Sequence, residues 1–207
     1  MTTHSLTLSP HEVLAALRGG LGLIVRPVRP TVKGCKVGAY TTQTPNGLHV
    51  EPVNVQEDGD PWDDIPCPFG APGIRLVGKE TWCCPIDTAP QTTVYRADYP
   101  DCVPSCYENI PQPAALSWRS PATMPAWASR ITLEVEGVRV CRLHQLCEDD
   151  MRKAYGISMA TPASGELYRQ LRTSFEAVWD KHYGRRYPWE SNPWCWAVKV
   201  RRDDNAK

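Results

Sequence analysis

Two runs in the second half of the chain alternate apolar and polar residues, and they constrain the fold more than any other feature. Ile131, Leu133 and Val135 alternate with Thr132, Glu134 and Glu136. Trp194, Trp196, Val198 and Val200 alternate with Cys195, Ala197, Lys199 and Arg201. Successive side chains of a strand point to opposite faces, so each run calls for a sheet with one face against a core. Gly137 is expected to turn the first run, with Val138 and Val140 restarting it. Further short strands are predicted at Ile74–Val77 and in VYRAD, 94–98.

Helices interrupt these strands. SPHEVLAALR, 9–18, reads as a capped helix: Ser9 at the N-cap, Pro10 at the first helical position and Glu12 completing a capping box. Residues 164–181 place Leu167, Leu171, Phe175, Val178 and Trp179 at helical spacing. With no strand–helix–strand rhythm, the pattern predicts an α+β fold, a small mixed β barrel with peripheral helices. Twenty prolines among 207 residues add long loops. In a single domain spanning 1–207, 35–66 reads as a loop or short-hairpin insertion and 99–117 as a proline-rich loop insertion.

Charge is balanced, with 23 basic and 23 acidic residues, so any basic site must be local. Residues 13–48 hold Arg18, Arg26, Arg29, Lys33 and Lys36 and no carboxylate; residues 51–64 hold Glu51, Glu57, Asp58, Asp60, Asp63 and Asp64 and no Lys or Arg. Internal pairing is the favoured reading, a basic site with an acidic flap the other. Nine cysteines are an odd count, and neither a secretory signal nor a long apolar span is legible. Reduced thiols in a cytoplasmic setting fit. Cys102 and Cys106 could supply two ligands of a structural zinc, with Cys67, Cys83-Cys84, His144 and Cys147 as sources of the rest. Cys102, Cys106, His144 and Cys147 could make one site, but there is no CxxC pair, and buried reduced thiols are the default.

The stretch LRGGLGLIVRPVRP, 17–30, raises a phosphate cradle. A Walker loop needs Lys and Ser or Thr at its end, and a dinucleotide fingerprint runs strand, glycines, helix. Here the order is helix, glycines, apolar run, so a turn into a buried strand is expected.

CPFGAPGIRLVGKETW (67–82), YRAD (95–98), WRSPATMPAWASRITLEVEGVRV (118–140) and SNPWCWAVKVRR (191–202) resemble, in order, phage and prophage proteins of the ASCH family, a branch of the PUA-like β barrels. The resemblance spans about 13–200. It implies a PUA-like barrel and a cleft associated with RNA, nucleotides or modified nucleosides, without specifying a reaction. Relatives read Gly-Arg-Lys-Thr-x-Thr-Arg-Arg after the first helix. Here the family's lysine falls on Leu21 and its threonines on Gly22 and Ile24, while Gly19, Arg26 and Arg29-Pro30 keep the frame. Leucine can neither titrate nor donate, so the family hydrolase activity is not expected.

The expected ligand-binding residues are Arg26, Arg29, Glu80, Trp118 and Arg130. Glu80 and Lys79 are weak catalytic candidates; a binding or structural role for Glu80 is favoured. Trp127 is expected to plug one barrel end rather than stack a base. A second, basic and aromatic patch comprises Lys181, Arg185, Arg186 and Tyr187, at the end of the last helix. It could bind a backbone or be a solvated helix end. The expectation is binding of RNA, single-stranded nucleic acid or a nucleotide, with no cofactor and no membrane. The alternatives are a phage module that engages a host protein, and a nucleoside amidohydrolase or ribonuclease built around Glu80.

Overall fold

A computed structural model describes residues 3–31, 33–44, 47–56, 61–84, 92–106, 108–157 and 165–203. Its centre is a five-stranded sheet. In spatial order it runs β1 (Thr3–Thr7), β6 (Arg75–Lys79), β9 (Thr132–Arg142), β10 (Trp194–Arg202) and β2 (Leu23–Pro27). β1 and β6 pair in parallel; the other neighbours are antiparallel.

The expected barrel does not close. β1 and β2 are the two edges of the sheet and share no ladder. A side chain spans the gap instead: Arg26 Nη2 on β2 donates to the Thr7 carbonyl at the end of β1, at 2.9 Å. A closed ladder would need backbone groups in that place.

Helix α1 (Pro10–Leu17) follows β1, and the Glu12 carboxylate reaches back to the Ser9 N–H at 2.9 Å, as the capping pattern predicts. Helices α2 (Glu148–Tyr155) and α3 (Gly165–Tyr183) complete the helical set among the described residues. α2 carries Glu148, Asp149 and Asp150 in its first turn, ion pairs Glu148–Arg152 and Asp149–Lys153 one turn apart, and a left-handed Gly156 at its end. These are ordinary helix signals. No helix among the described residues is long and apolar enough to cross a membrane.

Two apolar clusters use opposite faces of the sheet. Ile24, Leu76, Leu133, Val135, Trp196 and Val198 pack with α1 residues Val13 and Ala16. Leu23, Val25, Cys195 and Ala197 pack with Met151, Phe175 and Trp179 of α2 and α3. β2 and β10 are therefore buried on both sides, which explains the small, apolar Cys195 and Ala197 on what reads as the polar face of the terminal run.

Gly137 does not turn the chain. β9 runs through it, paired with Lys199, and Val200 then pairs with Val135, so Glu136 is the extra residue of a β-bulge. One extra residue switches the buried parity from 133 and 135 to 138 and 140 without ending the strand. The 35–66 segment is more than loop: β3 (Lys36–Thr44), β4 (Gly47–Val55) and β5 (Pro61–Asp64) form a three-stranded antiparallel sheet. VYRAD yields only the short β8 (Val94–Tyr95), paired with β7 (Trp82–Cys83). The 99–117 segment holds no strand among its described residues.

Candidate nucleic-acid interface

The glycine stretch presents no free backbone donors. Gly19 N–H bonds the Ala16 carbonyl, the Gly20 and Leu21 N–H groups bond that of Ala15, and Gly22 N–H bonds that of Lys153. Gly20 is required for packing: a Cβ there would sit 2.5 Å from the Gly156 carbonyl oxygen. Leu21 is 4% exposed and lies in the apolar cluster under the sheet. The corner that carries lysine in the family pattern is core.

Arg26 is held by Glu12. Its Nη1 and Nη2 donate to Glu12 Oε1 and Oε2 at 2.6 and 3.0 Å, and the Ser9 hydroxyl donates to Oε2 at 2.7 Å. Burial alone would raise the Glu12 carboxyl; the Arg26 charge, with the bonds from Arg26 and Ser9, brings it down to about 2.

Glu80 and Arg130 also meet, in an ion pair separate from that of Arg26. Arg130 Nε and Nη2 donate to the two Glu80 oxygens at 2.8 and 3.0 Å; Nη1 and Nη2 donate to Asp98 at 2.6 and 2.8 Å. The guanidinium lies 3.9 Å from the centre of the Tyr95 ring. Burial pushes the Glu80 carboxyl above its ordinary range, against the pull of Arg130. Glu80 is 2% exposed, so it could act as a base only by releasing Arg130. Lys79 is half-buried at the end of β6.

The remaining candidates separate. Trp118 donates its indole N–H to the Pro113 carbonyl and packs edge-on against Tyr99. Trp127 is 68% exposed, so it is not a plug; Met124 and Ala128 are buried against Trp82 instead. The zinc set does not assemble: among the described residues no three His, Cys, Asp or Glu side chains are placed to hold a metal ion. Cys102 exchanges hydrogen bonds with the Tyr95 backbone, and His144 Nε2 bonds the Trp189 carbonyl. Cys106 and Cys147 are exposed.

What the structure does bring together is Arg29 and the second basic patch. Asn54, fully buried, accepts from Thr31 N–H and donates to Thr31 Oγ1, which anchors the segment leading to Lys33 and Lys36. At the other end of the cleft, Trp179 donates to the Tyr187 carbonyl and Asp180 accepts from Trp189 N–H. The turn after α3 folds back on these bonds, half-buries Tyr183 and Tyr187, and leaves Arg185 and Arg186 exposed.

Between these two supports lies a cleft of about 1000 Å³, walled by Arg29, Lys33, Lys36, Arg142, Arg186, Tyr187 and Trp194 among others, and by no carboxylate. Arg142 lies over the Trp194 ring at 4.4 Å. Arg29, Arg186 and Tyr187 continue into a second hollow of about 430 Å³ with Arg185, His182 and Tyr183. Among the described residues, Arg29, Lys33, Lys36, Arg185 and Arg186 make no ion pair. Lys181 is exposed on α3 and lines neither hollow. Glu57, Asp58 and Asp60 of the acidic segment lie outside the described residues.

Sequence reasoning missed Arg142 and Trp194 as members of this cleft. They sit opposite each other in the β9–β10 register, a pairing that no local pattern reveals. Comparison with family models, with curated proteins and with solved structures finds no match.

Proposed function

We propose that this protein binds single-stranded nucleic acid, RNA or DNA, along the cleft that runs past Arg29. The carrying observation is a concave surface with five cations, two aromatic side chains and no carboxylate. Cations gain by releasing counterions from a phosphate backbone, and Arg29, Lys33, Lys36 and Arg186 make no ion pair among the described residues; aromatic rings stack bases irrespective of sequence. The ordered ASCH resemblance points to the same class of ligand. Nine free thiols suit a reducing compartment, and we place the protein in a bacterial host's cytoplasm.

Titration of a short labelled single strand, followed by fluorescence anisotropy, tests the reading. If all five cations meet phosphates, log K falls against log salt with a slope of about −3.5. The Arg29→Gln/Arg186→Gln double variant weakens binding and lowers that slope by about 1.4. No saturable binding at low salt, or a slope unmoved by the double variant, rules the proposal out.

A second reading, a module that docks on a protein, draws on the exposed Trp127 and on Arg119, whose guanidinium lies 5.1 Å from the centre of the Trp82 ring. Exposed aromatic and arginine side chains are typical interface anchors. Capture of a defined partner that is lost on Trp127→Ala would favour it.

A further inference from the structure

We propose that the cavity between α1 and α3 is a nucleobase pocket, into which one base of the bound strand turns while its phosphate rests on Arg29. The inference builds on the nucleic-acid reading above. The cavity holds about 430 Å³, within the range of small-molecule sites. Six aromatic rings line it: Tyr155, Phe175, Trp179 and Tyr183, with His11 and His182. His11 and Tyr155 lie 5.3 Å apart, and Tyr155 meets Phe175 edge-on at 5.9 Å. Flat walls of this kind suit a planar heterocycle.

The polar groups agree with that occupant. Glu12 and Arg26 line the cavity, but they neutralise each other, so this part of the wall favours an uncharged ring over a phosphate. The Tyr155 hydroxyl is buried, with no hydrogen-bond partner among the described residues, so Tyr155 offers the cavity its ring rather than its hydroxyl. His182 Nδ1 bonds the Val178 carbonyl, which can only accept, so the neutral ring keeps Nε2 as an acceptor. An acceptor beside aromatic side chains suits the N–H groups on the edge of a base.

The position matches as well. Arg29 lines this cavity and both cationic hollows. A phosphate held by Arg29 is therefore at the mouth of the base pocket and on the path of the strand.

Two single strands that differ only by one abasic residue provide the test. The strand with all its bases binds about tenfold tighter than its abasic twin at the favoured position. Val178→Trp fills the cavity from α3; it removes that tenfold difference and leaves the abasic strand's affinity unchanged. Circular dichroism establishes that the variant is folded. If abasic substitution at every position is neutral and Val178→Trp binds as wild type, the pocket is refuted while strand binding stands. If neither strand binds, the nucleic-acid reading fails, and the pocket with it.

Discussion

Arg26→Met separates a structural arginine from a ligand-binding one. Methionine keeps the apolar stem but removes both bonds to Glu12, at 2.6 and 3.0 Å, and leaves a carboxylate that is 5% exposed without its cation. Breaking a buried pair from one side costs about 3–5 kcal/mol. The titration of Glu12 leads to a similar figure. Its carboxyl lies at about 2 rather than the ordinary 4.5, and a difference of that size corresponds to about 3 kcal/mol. A lowered folded-state value means the contribution is complete above about 4.5 and is lost as pH falls toward 2. In the variant the sign reverses. Burial without Arg26 raises the carboxyl, so the penalty grows as pH rises through the raised value and vanishes in acid. Urea unfolding of both proteins across this range should show a gap of about 3–5 kcal/mol at neutral pH that closes on acidification. At neutral pH and a temperature where the variant is folded, its affinity for an abasic single strand, which leaves the pocket beside Arg26 empty, should equal wild type. A gap below about 1 kcal/mol, a gap independent of pH, or a loss of abasic-strand binding by the folded variant would refute the reasoning.

Three other substitutions probe the corrected corners. Arg130→Met strips Glu80 and Asp98 of their shared cation and should cost about 3–5 kcal/mol in urea unfolding; adding Glu80→Gln should recover part of it. Leu21→Lys, which returns the lysine of the family pattern, places an unpaired cation in an apolar cluster and should lose about 3 kcal/mol or more by thermal unfolding, with no hydrolysis of an acylated nucleoside gained. Trp127→Ala should change stability by no more than about 0.5 kcal/mol, because the ring is already mostly in water; a buried plug would cost about 3–5.

Local chemistry made several elements legible in the sequence. Alternation placed β9 and β10, helical spacing placed α3, and the Ser9–Glu12 pattern placed the start of α1 within a residue. Each depends on neighbours a few positions apart, whose side-chain directions follow from backbone geometry alone. The bulge at Glu136 was less accessible: Gly137 reads equally as a turn or as a strand irregularity, and the choice depends on where β10 pairs. Helix α2 went unread although its signals are local: an acidic first turn, ion pairs one turn apart and a terminal glycine.

The candidate site divided along the same line. Residue types alone identified Arg29, Arg185, Arg186 and Tyr187 as cations and a ring able to hold a backbone. They could not separate Arg29 from Arg26, three positions earlier on the same segment. An arginine is available for a ligand only if no carboxylate reaches it first, and Glu12 comes from α1 while Glu80 and Asp98 converge on Arg130 from two other segments. By itself, the sequence determined β9, β10, α3, the start of α1 and the apolar character of Leu21. Only the tertiary structure decided that the sheet stays open, that Arg26 and Arg130 are neutralised, and that Arg142 and Trp194 join Arg29 across β9 and β10. Strand order and ion-pair choice are set by contacts between residues far apart in the chain, and those contacts exist only once the core has packed.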